Sequence, residues 1–354
     1  MRLKVNVIPY TLRFKRPAGT SRGVYLNHKI WYVVVHSLTE PDRWGVGECA
    51  PLFDLSCDYN EDYEKRLAYF CRRLEENGNI DKEELRSYPS ILFGLETALL
   101  HFNQKGFDLW NTPFSQREKG IPINGLIWMG DYDYMFEQIE AKLERGYRCI
   151  KLKIGAIDFD NEIKLLSHIR NRFPADKVTL RVDANGAFSS ADALDKLKIL
   201  SELDLHSIEQ PIHAGQWSEM AKLAKTTPLP IALDEELIGI NHPQKKQWLL
   251  ETIIPQYIIL KPTLHGGISG CAEWIELAES MNIGWWITSA LESNIGLNAI
   301  AQWCATYDNP LPQGLGTGGL YSNNIEMPLN IKDDCLWYDS NSKAVSYNDI
   351  LCIG

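Results

Sequence analysis

Hydrophobic and polar positions along the 354-residue chain change rhythm near residue 120. Before that point, Arg2 to Tyr10 and Ile30 to Leu38 favour β-structure. The second run reads Ile-Trp-Tyr-Val-Val-Val-His-Ser-Leu, mostly β-branched and aromatic. Together they predict antiparallel strands. Between them, Arg16-Pro-Ala-Gly-Thr-Ser-Arg-Gly23 combines two glycines, a proline and small hydroxyl residues, and predicts a mobile loop. After Cys49-Ala-Pro51, apolar residues fall at three- and four-residue spacing over Tyr59 to Glu76 and Ile91 to Lys105, the period of two helices.

Beyond Gly120, short apolar runs alternate with amphipathic stretches, the mark of repeated βα units around a parallel sheet. Eight runs qualify as strands: Ile121–Ile127, Cys149–Ile154, Val178–Val182, His206–Glu209, Pro230–Asp234, Tyr257–Lys261, Trp285–Ser289 and Gln313–Thr317. Helical segments separate successive runs and none follows the last, which predicts an α/β barrel whose final helix is missing or replaced.

Composition narrows the function. The hydrophobic content of 45% supports a large core, in one or two domains. A formal charge of -10, without a dense Lys/Arg run, offers no footprint for nucleic acid. The N-terminus lacks the apolar core of a signal peptide and no stretch reaches membrane-spanning length, so a soluble, cytoplasmic chain without membrane partners is expected. Eight cysteines without CxxC spacing predict mostly buried free thiols. Oligomeric state is not specified by these features.

At or just beyond the C-terminal ends of seven successive runs stand Lys153, Asp183, Glu209, Asp234, Lys261, Ser289 and Gly316-Thr317, at intervals of 25 to 30 residues. A typical eightfold barrel of about 250 residues allots about 31 to each unit, so these groups recur once per unit on the rim where barrel enzymes work. Asp183, Glu209 and Asp234 fall on adjacent strands. Three anions so close call for a hard divalent cation, and an all-oxygen set suits magnesium better than zinc. Lys151 and Lys153 share one face of the second strand, and Lys261 stands on the sixth, across the barrel. A carboxylate substrate held between them would meet an ammonium-bearing side chain on each face. Near a divalent ion and other lysines, Lys153 is expected to lose part of its proton affinity and serve as a base. Removing a proton alpha to a carboxylate requires stabilising a dianion as it forms, and a divalent ion with lysines on both faces would supply that stabilisation.

Lys151-Leu-Lys153, Asp183-Ala-Asn185, Glu209-Gln-Pro211, Asp234-Glu235 and Leu260-Lys261-Pro262 resemble the motifs of the enolase superfamily. Gly45-Val-Gly-Glu-Cys-Ala-Pro51 resembles its capping-domain segment, and Pro17 to Gly23 its specificity loop. Within the superfamily, Ile287-Thr-Ser-Ala-Leu-Glu-Ser-Asn-Ile-Gly296 is most similar to the seventh-strand segment of o-succinylbenzoate synthases, which belong to the muconate-lactonizing-enzyme subgroup. The resemblance implies a modified TIM barrel, (β/α)7β, over residues 119–320. It also implies an α+β capping domain built from residues 1–118 and a returning C-terminal segment, 321–354. It implies magnesium, replaceable by manganese, on Asp183, Glu209 and Asp234. Lys153 would abstract the alpha proton and protonate the departing hydroxyl, Lys261 would stabilise the intermediate, and Lys151 would assist. Asn185, Arg181, Ser289, Ser293, Gly316, Thr20 and Ser21 are the substrate-contact candidates. For Arg181 a structural ion pair fits as well. The free N–H groups ahead of the helical run Leu297 to Thr306 are expected to hold a substrate carboxylate, which requires Ser289 and Gly296 to lie at the barrel mouth.

Other readings weigh less. Gly314-Leu-Gly-Thr-Gly-Gly319 matches GxGxxG, yet no helical pattern follows, so a tight turn is expected and not a dinucleotide site. His265 is expected to be structural. An N-acylamino acid racemase or dipeptide epimerase would use the same lysines, but dipeptide epimerases place carboxylates after the eighth strand, where this chain has Gly316-Thr317-Gly318. A non-catalytic barrel would be expected to have lost at least one motif residue, and none is missing.

Overall fold

The computed structural model describes residues 2–20, 23–339 and 345–353. Strands β1 (Leu3–Thr20), β2 (Gly23–Ser37) and β3 (Trp44–Cys49) form an antiparallel sheet in that order. Helices α1 (Tyr63–Asn77), α2 (Lys82–Leu85) and α3 (Pro89–Gln104) follow. Alternate residues of β2 serve different cores. Trp31, Val33 and Val35 pack with residues of α1 and α3, whereas Ile30, Tyr32 and Val34 join Tyr321, Ile325, Met327 and Ile350. Both faces are covered, which explains a strand with almost no polar alternation. Gly45 and Gly47 let α3 lie directly on β3: a Cβ on Gly47 would stand 1.9 Å from the Gly94 carbonyl oxygen.

Of the loop expected at residues 16–23, residues 16–20 and 23 instead belong to a long hairpin, and Ser21 and Arg22 lie outside the described residues. After a register shift between Arg13 and Ala18, Ala18 pairs with Tyr25, Gly19 with Val24 and Thr20 with Gly23. Backbone pairing across the hairpin outweighs the local preference of Pro and Gly for irregular structure, and the shift accommodates Pro17 where the ladder is broken.

Two short strands, β4 (Ile121–Pro122) and β5 (Gly125–Ile127), divide the first predicted barrel run. The units that follow are α4 (Tyr132–Glu144) and β6 (Cys149–Lys153), α5 (Phe159–Arg172) and β7 (Thr179–Asp183), and α6 (Ala193–Ser201) and β8 (Ser207–Glu209). Next come α7 (Trp217–Thr226) and β9 (Ile231–Leu233), α8 (Pro243–Ile253) and β10 (Tyr257–Leu260), and α9 (Gly267–Ser280) and β11 (Gly284–Ile287). Helix α10 (Asn294–Cys304), the hairpin β12 (Leu329–Lys332) and β13 (Cys335–Tyr338), and α11 (Tyr347–Cys352) complete the chain.

Strands β5 to β11 form one parallel sheet in sequence order. The eighth strand is reduced to two parallel bridges, Gln313 with Ile123 and Gly314 with Thr288, and these join the sheet's two edges. The architecture is therefore a modified TIM barrel, (β/α)7β, with an α+β cap. Strand β13 pairs with β4, and Tyr347 and Ile350 of α11 pack on the second face of the N-terminal sheet. Among the described residues no helix is long and apolar enough to cross a membrane.

Candidate active site

Parallel pairing arranges the polar residues in layers. Lys151 pairs with Arg181 and Arg181 with Ser207; two residues further along, Lys153 pairs with Asp183 and Asp183 with Glu209. Alternate residues of a strand share a face, so the second set lies one layer nearer the C-terminal rim than the first. Asp234 follows β9 and Lys261 follows β10. With the barrel closed, β6 and β10 stand four strands apart, which puts Lys153 and Lys261 on opposite sides.

The side chains interlock. Lys151 Nζ lies 2.9 Å from Asp183 Oδ2 and donates to Glu209 Oε2. Lys153 Nζ donates to Asp183 Oδ2 at 3.2 Å and to Asn185 Oδ1 at 2.8 Å. Lys261 Nζ donates to Asp234 Oδ2. Gln210 shapes the turn after β9, because its Oε1 accepts from the Asp234 and Glu236 backbone N–H groups, both at 3.2 Å.

Burial alone would raise the Asp183 carboxyl, yet the ammonium groups of Lys151, Lys153 and Lys261 hold it well below the carboxylate range. Burial, with the charge on Asp183, pushes Glu209 well above that range despite Lys151. Glu235 is pushed up to about 7 by burial and by Asp234 and Asp183. Lys261 shows the reverse balance: burial would lower it, and Asp234, Glu209 and Glu235 hold it above the lysine range. The four acids Asp183, Glu209, Asp234 and Glu235 thus face only three lysines.

Glu209 Oε1, Asp234 Oδ1 and Glu235 Oε2 are buried without a hydrogen-bond partner among the described residues. Unpartnered oxygens on an acid-rich rim suit a hard divalent cation. Among the described residues no three His, Cys, Asp or Glu side chains close into a finished metal shell, and lysines hold one oxygen each of Asp183, Glu209 and Asp234.

A cavity of about 330 Å³ opens over this cluster, with Lys151, Lys153, Asp183, Asn185, Glu235 and Lys261 in its lining. Tyr25, Leu52 and Leu55 of the cap and Trp128 of the barrel line it too. Trp128 escaped the sequence reading, although the strand-end rule used for the other runs points to it, immediately after β5. Its backbone is clamped by Gln138, which accepts from the Trp128 N–H at 2.9 Å and donates to its carbonyl at 3.1 Å.

Ser289 and Gly316 line the cavity, and Ser289 Oγ lies 2.7 Å from Thr317 Oγ1. The expected carboxylate site at the N-terminus of α10 is already filled from within. Glu48 of β3 accepts from the Ser293 and Gly296 N–H groups at 2.7 and 2.8 Å and from Ser293 Oγ at 2.5 Å, while Asn324 Oδ1 takes the Asn294 N–H. Ser293 is fully buried there and is not a cavity residue.

Arg181 also departs from expectation, making no ion pair among the described residues and not lining the cavity. It is buried in the layer below, donating to the Pro312 carbonyl at 2.7 Å, with its guanidinium 4.0 Å from the centre of the Trp286 ring. The turns after Gly314 lead into no helix, consistent with the rejected dinucleotide motif. His265 is buried; its Nδ1 accepts from the Lys261 N–H at 3.0 Å. Thr20's side chain and Ser21 lie outside the described residues.

A family model described as Enolase C-terminal domain-like matches residues 134–339. The o-succinylbenzoate synthase of Desulfotalea psychrophila is 49% identical over 91% of this chain and 95% of its own. The chain belongs to the enolase superfamily. Within that superfamily, the crystal structure of MenC from Desulfotalea psychrophila superposes with a TM-score of 0.82 at 41% identity, covering 95% of this chain and all of that one. A second superfamily relative, the N-succinylamino acid racemase of Thermus thermophilus, is 39% identical over 45% of this chain and 40% of its own.

Proposed function

We propose that this enolase-superfamily chain is an o-succinylbenzoate synthase. It would be a cytoplasmic hydro-lyase that converts 2-succinyl-6-hydroxy-2,4-cyclohexadiene-1-carboxylate to o-succinylbenzoate, a menaquinone precursor. The observation that carries the reading is the 49% identity sustained over 91% of the chain.

In this reading residues 119–320 are the catalytic barrel, capped by 1–118 and 321–354. Lys153 takes the proton alpha to the ring carboxylate, so the C–H bond breaks and its electron pair moves toward that carboxylate. A magnesium ion held by Asp183, Glu209 and Asp234 would supply divalent charge against the forming dianion, and manganese would substitute. Lys261, kept charged by its acidic neighbours, adds positive charge from the opposite face. Lys151 ties Asp183 to Glu209 and holds the two acids together. The C–O bond then breaks and Lys153 returns its proton to the leaving hydroxyl, giving water and an aromatic ring. Ser289, Gly316 and Asn185 remain the substrate-contact assignments.

Two opposed lysines would also serve two-base racemisation of an N-succinylamino acid, and the match to the Thermus racemase favours that as a second reading, though over a shorter stretch. Ultraviolet absorbance of the aromatic product separates the two. Magnesium-dependent turnover that is abolished by EDTA and by Lys153→Ala is expected. A folded, magnesium-supplied protein that leaves the cyclohexadiene untouched, yet exchanges the alpha proton of N-succinylamino acids, would refute the synthase reading.

A further inference from the structure

A neutral amine carries two N–H bonds and one lone pair in a tetrahedral arrangement, so two fixed acceptors leave its lone pair a single direction. Lys153 Nζ has two such acceptors, Asn185 Oδ1 at 2.8 Å and Asp183 Oδ2 at 3.2 Å. The Asn185 amide presents its oxygen only in one of two orientations. Glu235 selects it, since Oε1 accepts from Asn185 Nδ2 at 3.0 Å. Flipping the amide would set its NH2 against the lysine N–H groups and its oxygen against a carboxylate, losing both hydrogen bonds at once.

The anchors at either end are firm. Asn185 adopts a left-handed φ of 44°, a conformation Asn tolerates, and its N–H donates to Asp183 Oδ1 at 3.1 Å. Glu235 begins the short helical turn Glu235–Leu237, and that turn is held by Gln210 through the Asp234 and Glu236 N–H groups.

We propose that Glu235 is a positioning residue for the base. It locks the Asn185 amide, and so aims the remaining direction of Lys153 Nζ at the substrate. This rests on the synthase reading above. The aimed position is a lone pair when Lys153 accepts the alpha proton, and an N–H when the same proton goes to the departing hydroxyl. Both transfers therefore occur on one face of the ring.

The test compares Glu235→Leu, Glu235→Gln, Asn185→Asp and the double variant Asn185→Asp/Glu235→Gln. Glu235→Leu is expected to lose about 100-fold in kcat, the scale of an angstrom-sized misplacement, with KM and equilibrium binding of o-succinylbenzoate nearly unchanged. Deuterium at the alpha carbon should then slow turnover more than in wild type, because proton removal becomes limiting. Glu235→Gln keeps an acceptor for Asn185 and should lose far less kcat than Glu235→Leu. Asn185→Asp sets two carboxylates face to face and should fall as far as Glu235→Leu. In the double variant the amide and carboxylate exchange places and net charge is conserved, so most of the lost kcat should return.

Wild-type kcat in Glu235→Leu, or a double variant no faster than Asn185→Asp while product binding is intact, would overturn the inference. A wild-type protein without turnover would overturn the synthase reading and this inference with it.

Discussion

Replacing Glu48 tests the joint between cap and barrel. Its carboxylate projects from β3 onto the N-terminus of α10, more than 240 residues away in sequence, and accepts three hydrogen bonds in a fully buried setting. In Glu48→Ala the Ser293 and Gly296 N–H groups are left without an acceptor. Each such donor costs about 1–3 kcal/mol, so a destabilisation of about 3–5 kcal/mol is expected, the range for breaking a buried charged network. Glu48→Gln should be milder. Ser293 Oγ and Gly296 N share Oε2, so an amide oxygen placed there serves both and strands only the Ser293 N–H, at about 1–3 kcal/mol. Burial already pushes the Glu48 carboxyl up to about 7, against the pull of these donors, so an uncharged amide is a modest change. Urea unfolding followed by tryptophan fluorescence measures both variants. A loss below about 1 kcal/mol in Glu48→Ala, or equal losses in the two variants, would refute the capping argument.

Gly47→Ala would drive a Cβ to 1.9 Å from the Gly94 carbonyl oxygen, so α3 has to lift from β3. A loss of about 3 kcal/mol or more is expected, read as a lower melting temperature. Burial lowers His101 to about 4 from 6.5. Its stability contribution is complete above pH 6.5 and is lost as pH falls through 4, about 3 kcal/mol in all, so urea midpoints should decline less below pH 6.5 in His101→Gln than in wild type. Arg181→Met should leave KM unchanged, since the guanidinium lies below the cavity. Its lost hydrogen bond and ring contact are offset by removal of the buried, unpartnered Nε and Nη2, for a net change within about 2 kcal/mol by thermal unfolding. A marked rise in KM would restore Arg181 as a substrate contact.

Periodicity along the chain was enough to place the rim. Each βα unit is of similar length and alternate strand residues share a face, so Lys151, Lys153, Asp183, Glu209, Asp234 and Lys261 could be assigned to one end of a barrel before any contact was known. The layer of Arg181 was implicit in the same alternation, because it stands two residues before Asp183. Its partners were not, for Trp286 and the Pro312 carbonyl come from the far side of the barrel. The pairing of residues 18–20 with 23–25 is not legible in composition, which reports local preference, whereas cross-strand pairing is a property of two segments.

Strand periods, the order of βα units and the rim residues are local facts that repeat, and sequence alone determined them. Whether the N-terminus of α10 is free for a ligand depends on which side chain reaches it, and that side chain is Glu48 from the opposite end of the chain. Likewise, the orientation of the Asn185 amide depends on Glu235, fifty residues further on. Occupied donors and oriented amides arise only when distant segments are brought to hydrogen-bonding distance, and tertiary structure alone decided them.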